Sequence, residues 1–246
     1  MSVATYSDID TLSQEAARYV VRVASESITT HGRFTLALAG GSTPKKLYGL
    51  LASETYRDQI DWALTEIFWS DERCVPPDSQ DSNYHLAQEV LLSMVPISAA
   101  QIHRMPADAD NRAQASLTYT QEIQRVFGTN GIPSFDLIQL GMGPEGHTAS
   151  LFPHQASLHE QSLLIMPVTV PKPPPPRLTF TPLLLNAATH ILFLVTGQDK
   201  ADALQSVLEG DYNPDKYPAQ IIRPTQGEVT WMLDPAAASK LRNAHA

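Results

Sequence analysis

Four polar, glycine-bearing or charged turns follow short apolar runs in this chain, and they hold most of the residues able to do chemistry. The first is AGGSTP at 39–44, where Gly41, Ser42 and Thr43 can offer backbone N–H groups and hydroxyls to an anion at a helix start. The G-x-x-x-x-G-K spacing of a Walker loop is missing, and a well-capped strand-to-helix turn is the ordinary alternative. The second turn begins WSDER at 69–73. Its Arg73 can fork onto a phosphate or pair with a carboxylate to fix the loop, and a solvated charged turn is the plain reading of Asp71-Glu72-Arg73. The third, GMGPEGHTASLFP at 141–153, sets His147 on a tight turn where Thr148-Ala149-Ser150 can open a helix. An imidazole held there can take a proton from water near neutral pH, with Glu145 steadying the ring; a structural histidine is the alternative. The fourth, at 196–200, ends in Lys200 at a helix start, where a cation is unfavourable unless an anion joins it. Arg177 stands on a stiff support, just after a run of five prolines and one lysine at 171–176.

The elements that must carry these turns follow from periodicity. Leu12, Ala16, Val20, Val23 and Ser27 recur at helical spacing, and His31-Gly32 stops that helix. Apolar runs at 34–39, 66–70, 135–140, 163–170, 190–195 and 229–233 read as strands. Helices are expected from Ser42-Thr43-Pro44 onward with a hydroxyl cap, and over 83–92, 108–127, 182–188 and 201–208. Residues 71–81 and 93–107 read as loops. Alternating strands and helices imply an α/β fold on a mainly parallel sheet. Such sheets bind ligands outside the carboxyl ends of their strands, so the turns are expected to gather at one edge. No Gly/Ser-rich linker divides the chain, and residues 1–246 are taken as one domain.

Composition narrows the function. Hydrophobic residues make up 43 % and charged residues 17 % of 246, enough apolar material for a sizeable core. Lys and Arg total 17 against 26 Asp and Glu, a net charge of −9, which lacks the basic footprint of a nucleic-acid binder. A small anion must then be held by local cations against the global field. The single cysteine, Cys74, permits no internal disulfide and reads as a spectator, favouring a reducing compartment. The N-terminal stretch lacks the pattern of a secretory signal, and no apolar run reaches the ~20 residues that span a bilayer. A cytoplasmic monomer with no membrane partner is expected. The other histidines (His31, His85, His103, His154, His159, His190 and His245) show no metal-type spacing, so neither a metal nor another cofactor is expected.

The motifs together resemble a known family. AGGSTPKKLYGLL at 39–51, FWSDERCVPPDSQDSN at 68–83, FDLIQLGMGPEGHTASLFP at 135–153 and PKPPPPRLTFTPLLLNAATHILFLVTGQDKA at 171–201 follow the order of the 6-phosphogluconolactonases, in the family shared with glucosamine-6-phosphate isomerases. The resemblance implies a Rossmann-like sheet flanked by helices. It implies hydrolysis of 6-phospho-D-glucono-1,5-lactone to 6-phospho-D-gluconate in the oxidative pentose phosphate pathway. His147 is then the base that activates water, and Arg73 and Lys200 hold the phosphate. The Gly41-Ser42-Thr43 turn lies nearby, and Arg177 lines the same pocket. The family usually has Asp where this chain has Glu145. Direct attack by water is expected: Ser150 lacks a G-x-S-x-G elbow, and backbone N–H groups of the glycine-rich turns are left to stabilise the oxyanion. The rival within the superfamily, a glucosamine-6-phosphate deaminase, would use Asp71 for proton transfer. A sugar-phosphate sensor without turnover is the non-enzymatic alternative.

Overall fold

The computed structural model describes residues 1–174 and 176–242. Pro175 of the proline run and the tail that contains His245 lie outside the described residues. The chain opens with β1 (Ser2–Thr5) and α1 (Ile9–His31). Helix α1 starts on Asp8, whose carboxylate accepts from Thr11 N at 2.7 Å, and ends at Gly32. Then come β2 (Phe34–Leu38), α2 (Ser42–Leu51), β3 (Thr65–Trp69), β4 (Asp71–Arg73), α3 (Asn83–Ala87) and α4 (Arg112–Phe127). The second half holds β5 (Leu137–Leu140), β6 (Ile165–Val168), β7 (Arg177–Phe180), α5 (Pro182–Leu185), β8 (His190–Val195), α6 (Ala201–Glu209) and β9 (Glu228–Leu233).

The main sheet runs β1-β9-β8-β5-β2-β3, and every pairing in it is parallel. Its inner strands β2, β5 and β8 read as largely apolar runs because both faces are covered. Side chains alternate between the faces. Leu36, Leu38, Ile67 and Trp69 pack under α1 and α2 with Leu12, Val20 and Leu47. Ala37, Phe68, Ile138 and Phe193 point the other way, toward Tyr119 and Ile123 of α4 and Leu204 of α6. Each fully buried leucine or isoleucine in these layers contributes about 1.5–3 kcal/mol. Among the described residues no helix is long and apolar enough to cross a membrane.

A second sheet, β4-β7-β6, is antiparallel. Three expectations are corrected here. Residues 71–73 form a strand, buried at Asp71 and Glu72, where a loop was expected, and 177–180 and 2–5 are strands that apolar runs did not announce. The stretch at 163–170 does form a strand, over 165–168, but in this smaller sheet. Helix α4 starts at Arg112, four residues later than periodicity suggested, because the Asn111 carboxamide accepts from Gln114 N and caps it there.

Candidate active site

The four turns do meet. Ala39 to Thr43, Asp71 and Arg73, Gly141 to Pro144 with His147, and Thr196 with Lys200 line one cleft of about 350 Å³ at the carboxyl edge of the main sheet. The antiparallel sheet adds Arg177, and the proline run adds Lys172 and Pro173.

The first turn is braced from below. Tyr48 of α2 is fully buried and donates its hydroxyl to the Ala39 carbonyl at 2.7 Å. Gly41, at φ 117°, caps α2 without any side-chain hydrogen bond. This corrects the expected hydroxyl cap: Ser42 and Thr43 are already helical, and their amides sit at an uncapped helix start. The Thr43 hydroxyl bonds that of Thr196 at 2.7 Å, tying the start of α2 to the end of β8. Beyond Thr196, Gly197 N donates to both Asp234 oxygens at 3.1 Å, which fixes the approach to Lys200. Lys200 is ion-paired with its neighbour Asp199.

The charged triplet is no solvated turn. Asp71 is 5 % and Glu72 3 % exposed. Glu72 accepts from Arg73 N, Asn83 N, Tyr84 N and the Ser82 hydroxyl at 2.7–3.0 Å. Burial pushes its pKa up, and these four bonds pull against that rise. Asp71 accepts from the Ser150 hydroxyl at 2.6 Å and lies 3.9 Å from Arg177 Nη1. Arg73 reaches the cleft with Nη1 donating to the Asp81 carbonyl at 2.7 Å. Arg177 is buried, with Nε and Nη2 directed at prolyl-run carbonyls.

His147 is held by its turn. Gly143 N donates to the His147 carbonyl and Gly146 N to the Gly143 carbonyl, both at 2.9 Å. The ring lies directly on the backbone of Gly143, where a Cβ would stand 2.0 Å from Nδ1. Its other neighbour is Phe152, stacked with centroids 4.0 Å apart and planes 14° from parallel. Nδ1 stands 3.2 Å from Glu145 Oε2, an ion-pair distance without the alignment of a regular hydrogen bond. His147 beside it holds the Glu145 carboxyl down at about 2, so Glu145 is ionised at neutral pH. No helix opens at Thr148-Ala149-Ser150: Ala149 has φ 47°, and Ser150 spends its N–H on the Thr179 hydroxyl and its own hydroxyl on Asp71. Ser150 is fully buried, away from the cleft lining, with its hydroxyl given to Asp71.

Every expected cation thus lines the cleft, as do Gly41, Ser42, Thr43 and His147, and Glu145 stands behind the ring. Sequence reasoning missed Lys172, Asp199 and the Phe152 platform. The lysine inside the proline run was the available signal for Lys172. Among the described residues no cluster of three His, Cys, Asp or Glu side chains is arranged to hold a metal.

Residues 7–231 match the family model described as glucosamine-6-phosphate isomerases/6-phosphogluconolactonase. The chain is 42 % identical over 220 residues to a 6-phosphogluconolactonase of Synechocystis sp., covering 89 % of each chain, and 41 % identical to that of Nostoc sp., covering 87 % of this chain and 88 % of that one. The solved 6-phosphogluconolactonase of Trypanosoma cruzi superposes with a TM-score of 0.86 at 27 % identity, covering 98 % of this chain and 97 % of that one. A monomeric glucosamine-6-phosphate deaminase shares the fold, with a TM-score of 0.82 at 22 % identity over 98 % of this chain and all (100 %) of that one. A parallel sheet whose carboxyl edge gathers a turn-bound histidine and several cations is thus matched by sequence along most of its length, and the chain belongs to the glucosamine-6-phosphate isomerase/6-phosphogluconolactonase family.

Proposed function

We propose that this protein hydrolyses 6-phospho-D-glucono-1,5-lactone to 6-phospho-D-gluconate. The observation that carries the reading is one imidazole, backed by an ionised carboxylate, in a cleft that also gathers Arg73, Lys172, Arg177 and Lys200 and an uncapped helix start. His147 takes a proton from water as the water oxygen adds to the lactone carbonyl. Backbone N–H groups of the glycine-rich turns receive the oxyanion. When the ring C–O bond breaks, the imidazolium returns the proton to the departing sugar oxygen, so the base is restored. Glu145 steadies the imidazolium between the two transfers. Arg73 and Lys200 hold the phosphate together with the amides at Gly41, Ser42 and Thr43, with Arg177 at the same wall. A δ-lactone is an activated ester, so a positioned general base suffices and no acyl-enzyme is needed.

The test is proton release on adding freshly generated lactone, measured against the spontaneous rate. Release well above that rate supports the reading. Ammonia released from glucosamine-6-phosphate, with no acceleration of lactone opening, would replace it with the deaminase.

A further inference from the structure

The cleft holds more positive charge than the phosphate grip just described uses. Among the described residues, Arg73, Lys172, Arg177 and Lys200 border it. Three of these have partners. Lys200 pairs with Asp199, and Arg73 donates to the Asp81 carbonyl. Arg177 donates Nε to the Pro174 carbonyl at 3.3 Å and Nη2 to the carbonyls of Lys172 and Pro173, both at 3.4 Å. Its guanidinium therefore grips the proline strap from the buried side. Lys172 rides on that strap with an exposed side chain, and among the described residues its ammonium makes neither ion pair nor hydrogen bond. Its charge is felt on two sides, by Glu145 next to His147 and by Asp199 next to Lys200. An unpaired ammonium gives up no existing partner when an anion arrives. Prolines before and after it fix φ, so the stem has less backbone freedom to lose on binding.

We propose that Lys172 is the strap's substrate-contacting cation, meeting the phosphoryl group at the cleft wall, and that Arg177 is a positioning residue that acts through it by holding the carbonyls of Lys172, Pro173 and Pro174. The proposal rests on the phosphorylated-lactone reading above and adds a contact to it. Arg177 fixes where the ammonium stands; Lys172 makes the contact.

The experiment compares wild type, Lys172→Met, Lys172→Arg, Arg177→Lys and the double variant K172M/R177K. Two readouts are taken: proton release with fresh lactone, and inorganic phosphate binding by calorimetry, which needs no turnover. Lys172→Met is expected to raise KM and weaken phosphate binding about tenfold, the loss of one charge-assisted contact, with kcat within about twofold. Lys172→Arg restores most of both. Arg177→Lys, which keeps the charge and loses the fork, raises KM similarly, and adding K172M to it costs less than about twofold more. Unchanged KM and phosphate affinity in Lys172→Met overturn the contact. Fully additive losses in the double variant overturn the positioning role and make Arg177 an independent contact. A wild type that binds phosphate but does not open lactone defeats the functional reading alone, and the phosphate comparison still decides Lys172. A wild type that does neither defeats both.

Discussion

His147 and His103 are set in opposite ways. His103 is 5 % exposed, stacked on Phe68 with centroids 4.4 Å apart, and bridges two carboxylates: Nε2 to Glu66 and Nδ1 to Glu122, both at 2.7 Å. His147 is likewise stacked on a phenylalanine, but one nitrogen leans toward Glu145 and the other has no partner among the described residues. The first ring pins β3 to α4. The second stands on a turn at a cleft with a nitrogen to spare. An aromatic platform and a carboxylate are common to both; the unoccupied nitrogen at a cleft that holds several cations is what supports the catalytic role proposed for His147.

The sharpest test of this contrast removes each ring. His147→Ala is expected to lower kcat by ~10²–10⁴-fold with KM little changed, read in the proton-release assay. Near-normal turnover would erase the distinction. Gly143→Ala should act on the same ring from behind: its Cβ would need the space of Nδ1, the imidazole must swing away, and kcat is expected to fall on the order of tenfold to a hundredfold with KM changed less. His103→Leu should leave kcat intact and cost about 2 kcal/mol, because Glu66 and Glu122 lose their common partner at a partly exposed site. Thermal melting should then shift down by about 4–8 °C. The smallest effect is in acid. Arg125 first, and His103 after it, hold Glu122 down at about 2. A lowered folded-state pKa means its contribution is complete above the unfolded value near 4.5 and fades as pH falls from there toward 2. Allowing for solvent around Arg125, about 1 kcal/mol should disappear over that window, visible as a lower urea midpoint at pH 3 than at pH 6 and absent from Glu122→Gln.

The parallel sheet was legible because its inner strands are buried on both faces and written as apolar runs, 34–38 and 190–195 most plainly; edge strand β1 is half-exposed and was not. Strand β4 was not. Asp-Glu-Arg reads as surface until Ser150, Asn83 and Arg177, all distant in sequence, supply partners for the buried carboxylates. The same holds after His147, where Thr179 and Asp71 draw Ser150 away from the helix its neighbours favour. In the site, residue types and their strand-end positions located the ring and the cationic wall of the cleft as a group. What sequence could not carry was commitment: Arg177 spends its donors on prolyl carbonyls, and Lys172 keeps its own.

Glu72 has one more consequence. The starts of α2 and α3 differ in this respect: α3 opens with its amides at Asn83 and Tyr84 already resting on this carboxylate. The chain thus supplies a resident anion to α3 and none to α2. Under the proposed reading, an incoming phosphoester has the vacant start of α2 beside the cations, while the start of α3 is closed by the protein itself.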